Sequence, residues 1–222
     1  MADEIHLHGL RSAWLSEQLC HHLGLPPQRV DAIGQAARTH DIGKYALPEA
    51  LLGKQASLTA RERLFLERHC LIGAGMLLAE APPDSGETTT TALAVALSHH
   101  EWWNGQGYPF GLSGHAIPRC ARIVAVADVF DALVSERAYK AAWSVAAAVD
   151  HIVRRRGTQF DPECVDALLL VAQTLPNSWR EAAHSAPASA VAPNLGAQQP
   201  SWIDIDRGLV LRYTVQEESL FA

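Results

Sequence analysis

Cysteine is scarce in this sequence, and no two cysteines are close together. The 222 residues contain four, Cys20, Cys70, Cys120 and Cys164, and no CxxC pair occurs. Zinc ribbons and disulfide-rich secreted domains both depend on closely spaced cysteines, so neither class fits this pattern. The pattern is typical of reduced thiols in the core of a cytosolic protein, and we therefore expect a cytoplasmic location.

Long apolar runs and an excess of positive charge are also missing. No apolar run approaches the ~20 residues that a membrane-spanning helix needs, and the opening MADEIHLHG is too acidic and polar for a secretory signal. The 18 basic residues are outnumbered by 24 acidic ones, which gives a net charge of -6. Proteins that bind nucleic acid polymers usually present a basic face. We therefore expect neither a membrane segment nor a nucleic acid polymer as partner.

The rest of the composition is that of an ordinary globular protein that is rich in histidine. Hydrophobic residues make up 48% and charged residues 19%, while histidine reaches 11 residues. Apolar residues recur at helical spacing through most of the chain. Helices are predicted over residues 7–23, 28–40, 59–80, 92–99, 118–133, 144–155 and 161–174. Thr59 and Glu62 form a capping-box pattern at the start of the third helix, and residues 81–91 are predicted to be a loop.

The composition changes after Pro176. Residues 179–200 are rich in alanine, proline and serine and are predicted to be a linker. Residues 201–222 contain WIDIDRGLVLRYTV, whose β-branched alternation around Asp-Arg-Gly predicts a short, hairpin-like tail. The predicted organisation is therefore an all-α domain over residues 1–178, followed by the linker and the tail.

Histidine, aspartate and glutamate residues at helix ends are the candidate functional residues. His40 and Asp41 stand together in HDIGK, at the end of the second predicted helix. Adjacent helical positions point in different directions, so both side chains can reach one metal ion only if the ion lies between helices. Further candidates on other helices are Glu4, His8, His69, His99, His100 and Asp128. Imidazole and carboxylate groups without thiolate suit Fe, Mn, Zn, Co or Ni.

Taken singly, each candidate also has a purely structural interpretation. A lone histidine such as His69 is often a hydrogen-bonded structural residue, and Glu4 fits a solvated first turn. Asp128 lies in the apolar stretch RIVAVADVFDAL, where an unpaired charge costs several kcal/mol, so it needs a core hydrogen bond or a cation. The combination of these residues with HDIGK favours a shared metal site.

Four segments together resemble the HD-GYP family, a branch of the HD-domain metal-dependent phosphohydrolases. They are HDIGK, RHCLIG, HHEWWNGQGYPFGLSG and ARIVAVADVFDALVSERAYK, and the resemblance covers residues 4–175. It implies an all-α HD-domain helical bundle with a metal centre between helices, followed in this chain by the hairpin-like tail. It also implies two or three divalent metal ions, usually iron or manganese, and hydrolysis of the bacterial second messenger cyclic di-GMP.

The resemblance also implies roles for single residues. The implied metal ligands are His40, Asp41, His69, His99, His100 and Asp128, with Asp41 bridging two ions, and Glu4 and His8 for a third ion. The implied catalytic residues are Asp41 and Lys44, with Lys44 near the scissile phosphate. Arg137 and Lys140 are implied to hold phosphate groups, and Tyr108 or Trp103 is available to stack on a guanine base.

The implied reaction is hydrolysis of cyclic di-GMP to pGpG through in-line attack by a metal-bridging hydroxide, with onward cleavage to GMP left open. A second interpretation keeps the chemistry and changes the substrate to another cyclic dinucleotide, such as cyclic GMP-AMP. A third is a non-catalytic sensor or adaptor that docks a GGDEF-type cyclase domain through the loop around residues 107–109, here called the GYP loop. The aromatic residues of this loop suit an interface. A homodimer is a further expectation. Asn104 and Gln106 depart from the family pattern, but neither is a candidate ligand.

Overall fold

The computed structural model describes residues 2–82, 86–136 and 142–175, which form a set of packed helices. They are α1 (Ala2–His22), α2 (Pro27–Thr39), α3 (Glu49–Leu52), α4 (Ala60–Glu67), α5 (His69–Ala79), α6 (Glu87–Ser98), α7 (Arg119–Val134), α8 (Val145–Val153) and α9 (Pro162–Ala172), with 3₁₀ helices at Ile42–Ala46 and Gly114–Ala116. Outside these helices the described residues form only isolated β-bridges. The all-α prediction is confirmed for this part of the chain. The predicted linker (179–200) and tail (201–222) lie outside the described residues.

Several helix ends are set by residues that the sequence makes recognisable. Gly24, just after α1, has φ +69°, a left-handed conformation that favours glycine, and Pro27 is the first residue of α2, where a backbone N–H is not needed. Thr59 and Glu62 form the predicted capping box, since the Thr59 hydroxyl accepts from the Glu62 N–H and the Glu62 carboxylate accepts from the Thr59 N–H. A cap of this kind stabilises a helix by about 1 kcal/mol.

The predicted start of α6 is wrong. The sequence predicts a loop over residues 81–91, whereas α6 begins at Glu87. Four consecutive threonines have a low helix propensity, but Thr91 is buried and α6 packs along α2. Tertiary packing therefore outweighs local propensity in this segment.

The single helix predicted over residues 59–80 is also wrong, because the chain forms two helices that meet at Arg68. α4 ends at Glu67 and α5 begins at His69. The His69 ring donates from Nδ1 to the Leu66 carbonyl at 2.7 Å, so a side chain takes part in the hydrogen bonding of this junction. The junction places His69 at the start of a helix rather than in the middle of one.

The most buried helix of the core is α7, and two carboxylates lie within it. It packs against α1, α6, α8 and α9, and most of its 16 residues are buried. Phe130 is fully buried, which contributes about 1.5–3 kcal/mol of hydrophobic stabilisation. Asp128 and Asp131 are buried in the same helix and face polar groups of α1 and α2. None of the described helices is long and apolar enough to cross a membrane.

Candidate metal centre

Seven of the eight candidate ligands converge on one buried cluster. His8 comes from α1, His40 and Asp41 from the end of α2, and His69 from the start of α5, while Asp128 lies in α7. His99 and His100 follow the last residue of α6. Three groups have ligand atoms that all lie within 4.8 Å of one another: Asp41 with His69, His99 and His100; His8 with His40 and Asp41; and His40 with His99 and Asp128. Spacings of this size allow one ion to contact every member of a group.

A close backbone contact brings α5 against the HDIGK segment. A Cβ atom added at Gly43 would lie 2.0 Å from the His69 carbonyl oxygen and 2.6 Å from the Gly73 nitrogen. Only glycine permits this approach, since real Cβ atoms do not come so close to backbone atoms. The glycine of HDIGK is therefore required to place His69 beside Asp41.

Asp41 occupies the centre of the cluster, and its two oxygens face different histidines. Oδ1 lies 3.3 Å from His69 Nε2 and 3.7 Å from His99 Nε2, whereas Oδ2 lies 3.4 Å from His40 Nε2 and 3.9 Å from His8 Nε2. Each oxygen is thus positioned to share a cation with a different pair of imidazoles. This arrangement is what a carboxylate that bridges two ions requires.

Backbone carbonyls orient three of the imidazole rings. The Nδ1 atom of His40 lies 2.7 Å from the Ala37 oxygen, that of His69 lies 2.7 Å from the Leu66 oxygen, and that of His99 lies 2.9 Å from the Val95 oxygen. A carbonyl oxygen only accepts, so Nδ1 carries the proton in each ring and Nε2 points into the cluster. Histidines that bind metals are usually oriented in this way.

Two buried polar atoms of the cluster have no hydrogen-bond partner among the described residues. They are His40 Nε2 and Asp41 Oδ1. Buried polar atoms are nearly always paired, so two such atoms in one cluster fit the ligands of a bound cation. Both atoms belong to the groups whose spacing suits a metal ion. The donor set therefore fits divalent cations.

The electrostatics of the cluster favour positive charge. Burial would raise the pKa of Asp41 and Asp128, but Lys44 and His40 beside Asp41, and His40 and His8 beside Asp128, hold both well below the ordinary value. Burial would lower the pKa of His40, yet Asp41 and Asp128 outweigh it and raise that pKa to about 10. The ionised carboxylates therefore attract a proton or a metal ion to His40 Nε2, and metal binding would displace the proton.

His69 and His100 are neutral at physiological pH. Burial lowers the pKa of His69 to about 4, and the nearby Lys44 and His99 act in the same direction. Burial also holds the pKa of His100 well below the ordinary value, with His99 adding to the effect. Neutral imidazole is the form that binds metals, so these two residues need no deprotonation.

Glu4 is the one candidate ligand that the structure does not bring into the cluster. Its carboxylate accepts from Arg11 Nη2 at 3.2 Å, and its side chain is 53% exposed. His8, one turn later on α1, does reach the cluster, with Nε2 2.9 Å from Asp128 Oδ1. The two residues share a helical face as expected, but only His8 contacts another candidate ligand.

The candidate substrate-binding residues are placed as follows. Lys44 Nζ lies 2.5 Å from Asp41 Oδ2, at the edge of the cluster. The Tyr108 ring lies 4.8 Å from the His100 ring, centroid to centroid, and 6.5 Å from the His69 ring. Trp103 instead packs against Arg122 and His115. Arg137 and Lys140 lie outside the described residues.

Two acidic residues that no sequence pattern distinguished also lie next to candidate ligands. Asp131 has no exposed surface and accepts from His8 Nδ1 at 2.7 Å and from Arg11 Nε at 2.6 Å. It lies three residues after Asp128 in the same apolar stretch, where a buried charge equally needs a partner. Glu101 directly follows His99 and His100 and is also buried. No spacing in the sequence identified its partners.

Comparisons with known proteins identify the family to which this chain is similar. A sequence model of the HD domain matches residues 4–164. The cyclic di-GMP phosphodiesterase response regulator RpfG of Xanthomonas campestris is 45% identical over 159 residues, covering 72% of this chain and 41% of the relative. The 3'3'-cGAMP-specific phosphodiesterase 2 of Vibrio cholerae is 36% identical over 162 residues, covering 73% of this chain and 30% of the relative. The chain thus spans less than half the length of these curated relatives.

Solved structures support the fold. The HDG"Y"P protein Bd1817 of Bdellovibrio bacteriovorus has a TM-score of 0.60 at 21% identity, covering 76% of this chain and 52% of that one. The HD domain of the Listeria monocytogenes phosphodiesterase PgpH has a TM-score of 0.53 at 16% identity, covering 77% of this chain and 92% of that one. At these identities the likeness concerns the helical arrangement alone.

Proposed function

The chain belongs to the HD domain family, and from that premise we propose that it is a metal-dependent phosphodiesterase that hydrolyses cyclic di-GMP to pGpG. The observation that carries the proposal is the central position of Asp41, whose two oxygens face separate groups of imidazoles. The printed names of the relatives support the substrate class, since they are phosphodiesterases of cyclic di-GMP and of 3'3'-cGAMP. Onward cleavage to GMP belongs to the same proposal.

The residues of the cluster divide into ion-binding and substrate-facing sets. His69, His99, His100 and Asp41, which form one group of ligand atoms, are proposed to hold one ion. His40 and Asp128 are proposed to complete a second site that shares Asp41, since His40 lies in one group with Asp41 and in another with Asp128. Divalent ions, for which we propose iron or manganese, supply Lewis acidity that lowers the pKa of bound water and neutralises charge on phosphoryl oxygens.

Lys44 is proposed to bind the scissile phosphate. Its ammonium group lies at the edge of the cluster against Asp41 Oδ2, and its side chain is 25% exposed, so it is open to a ligand. A fixed positive charge at this position stabilises negative charge that develops on the phosphate during hydrolysis. Arg137 and Lys140 are proposed to add further phosphate contacts, and Tyr108 is proposed to stack on a guanine base.

Two other functions are tested by the same experiment. Cyclic GMP-AMP is the alternative substrate, because several relatives are specific for it by name. A non-catalytic sensor or adaptor that docks a cyclase domain through the GYP loop is the alternative without turnover. A cytoplasmic location and a homodimer stay predictions.

The experiment is anaerobic purification followed by elemental analysis and a product assay. We expect at least two iron or manganese ions per chain, and conversion of cyclic di-GMP to pGpG that is lost after chelation and restored by the metal. Cyclic GMP-AMP is assayed in parallel, with products identified by mass spectrometry. Metal-loaded protein that binds cyclic di-GMP without turnover would identify the adaptor instead.

The third metal ion is tested separately through Glu4. We propose that Glu4 and His8 bind a third ion, which requires the Glu4 carboxylate to exchange its Arg11 contact for the ion. Glu4→Ala is then expected to remove about one ion per chain, while the two ions that share Asp41 stay bound. Elemental analysis of this variant is compared with that of Asp3→Ala, which removes an exposed carboxylate from the same turn. If the two variants carry equal metal, Glu4 holds no ion and the proposed third site is refuted.

A further inference from the structure

Glu101 is a buried acid whose carboxylate is occupied by the backbone of a following loop. Its exposed fraction is 3%. Oε1 accepts from the Phe110 N–H at 2.7 Å, and Oε2 accepts from the Leu112 N–H at 3.0 Å. Among the described residues no lysine or arginine forms an ion pair with it, so backbone amides stabilise its charge.

The loop is shaped to present these amides to one anion. Gly111, between the two donors, has φ +70°, a left-handed conformation that favours glycine, and the N–H groups on both sides of it point to the Glu101 carboxylate. Concave arrangements of backbone N–H groups of this kind commonly bind anions. In this chain the anion is a side chain from the start of the same loop.

The loop also returns onto the backbone that carries the histidine pair. The Tyr108 N–H donates to the His100 carbonyl at 3.2 Å. A Cβ atom at Gly107 would lie 2.3 Å from the Trp102 nitrogen and 2.5 Å from the His100 oxygen, so the backbone at the two ends of the loop is in close contact. With Glu101 tied to Phe110 and Leu112 as well, the segment on both sides of Tyr108 is held to residues 100–102.

The ring of Tyr108 is held over the cluster by these contacts. It is tilted by 32° against the His100 ring at 4.8 Å, and it faces the His69 ring edge-on at 6.5 Å. Both histidines belong to the four-residue group that surrounds one proposed ion. The position of Tyr108 therefore depends on the loop and not only on its own packing.

We infer that Glu101 is a positioning residue that acts through the backbone of residues 108–112 to hold Tyr108 over His100. It is not a metal ligand, because both its oxygens are bound to loop amides and it belongs to none of the three groups of ligand atoms. The effect on substrate rests on the proposed function, since Tyr108 then borders the site that a cyclic dinucleotide occupies. The effect on the loop does not depend on it.

Hydrogen–deuterium exchange and steady-state kinetics of Glu101→Gln test the inference. Glutamine keeps one acceptor oxygen but turns an NH₂ group toward the other amide, and hydrogen bonds to a charged acceptor are the stronger kind. We expect exchange at the Phe110 and Leu112 amides to speed up by about tenfold or more. Metal content should stay at the wild-type value, and KM for cyclic di-GMP should rise about tenfold with a smaller change in kcat. Glu80→Gln, which removes an exposed carboxylate at the end of α5, should change none of these quantities.

Other outcomes would overturn the inference. Unchanged exchange at Phe110 and Leu112 would show that Glu101 does not hold the loop, and loss of metal together with faster exchange would show that it supports His99 and His100 instead. If wild-type protein hydrolyses no cyclic dinucleotide, the proposed function fails, and the exchange and metal measurements still decide the role of Glu101. Should Glu101→Gln not fold, Glu101→Asp replaces it, since the shorter acid keeps the charge but cannot reach both amides and should give the same faster exchange.

Discussion

Alanine at position 41 is expected to abolish hydrolysis, with a fall in turnover of at least about 10³-fold. Asp41 is the only residue whose two side-chain oxygens each lie within 4 Å of the Nε2 atoms of two candidate histidine ligands in the described part of the chain. Its removal takes a ligand from two groups at once and leaves Lys44 without its carboxylate partner. Elemental analysis should show loss of bound metal, and the product assay should show no pGpG above the metal-free background.

The same substitution should leave the metal-free protein folded. One Asp41 oxygen has no hydrogen-bond partner, but the other faces Lys44 and His40, which hold the pKa of this carboxyl well below the ordinary value, so we expect a lower melting temperature without loss of the fold. Circular dichroism and thermal melting separate loss of activity from loss of fold. Asp31→Ala, which removes an exposed carboxylate from α2, serves as the control and should keep both metal and turnover. Near-normal turnover in metal-replete Asp41→Ala would refute the two-metal mechanism.

The helices were predictable wherever the cause of a boundary is local. Gly24, Pro27 and the Thr59–Glu62 box act within one turn of chain, so the sequence is enough to place them. The early start of α6 was not predictable, because its threonines are helical only through packing against α2. The junction at Arg68 depends on a side chain that turns back to a carbonyl, which helical periodicity does not report.

The candidate site was also predictable only in part, because the local motif was recognisable whereas contacts between distant segments were not. HDIGK indicated that the metal had to lie between helices, and the resemblance to the HD-GYP family supplied residues from distant parts of the chain. Periodicity alone did not predict that His8 and Asp128, 120 positions apart, would come within 2.9 Å. Glu4 shows the limit of helical spacing, since it shares a face with His8 but its carboxylate binds Arg11 instead of a candidate ligand.

Most of the site features that the sequence did not predict are the interaction partners of individual side chains. The sequence shows that Asp131 and Glu101 are acidic, but it does not show that one faces Arg11 and the other faces loop amides. Trp103 was a candidate for base stacking because it is aromatic and close to the GYP motif, and the sequence does not show that its ring packs against Arg122 of α7. Each of these interactions joins segments that local sequence patterns do not connect.

Asp131→Asn is expected to weaken both the fold and the metal centre. Arg11 binds Asp131 through two parallel hydrogen bonds, from Nε to Oδ1 at 2.6 Å and from Nη2 to Oδ2 at 3.0 Å, and Asp131 has no exposed surface. Arg11 would keep only the exposed Glu4 carboxylate as an ionised partner, and removing one partner of a buried pair costs about 3–5 kcal/mol. At roughly 2–4 °C per kcal/mol for a chain of this size, the melting temperature should fall by about 6–20 °C.

The metal centre should be affected through His8. Asp131 accepts from His8 Nδ1 and thereby directs Nε2 toward Asp128 and Asp41. Outer carboxylates that orient a histidine ligand in this way typically contribute 10- to 100-fold in metal affinity. We expect a loss of about that size in a metal titration, with the ion nearest His8 affected first.

The stability that Asp131 supplies should depend on pH in a defined direction. Burial would raise the pKa of Asp131, but hydrogen bonds from His8 and Arg11 lower it below the ordinary value. The stabilisation is therefore present above about pH 4 and is lost as the pH falls through the folded pKa, so the melting temperatures of wild type and Asp131→Asn should converge in acid.

A matched control for Asp131→Asn is Asp166→Asn, which removes a carboxylate that binds Arg156 with the same two-bond geometry at the exposed surface, where solvent screens the pair. Its melting temperature should stay close to that of wild type, and an equal drop in both variants would show that burial does not make the Asp131 pair the stronger one.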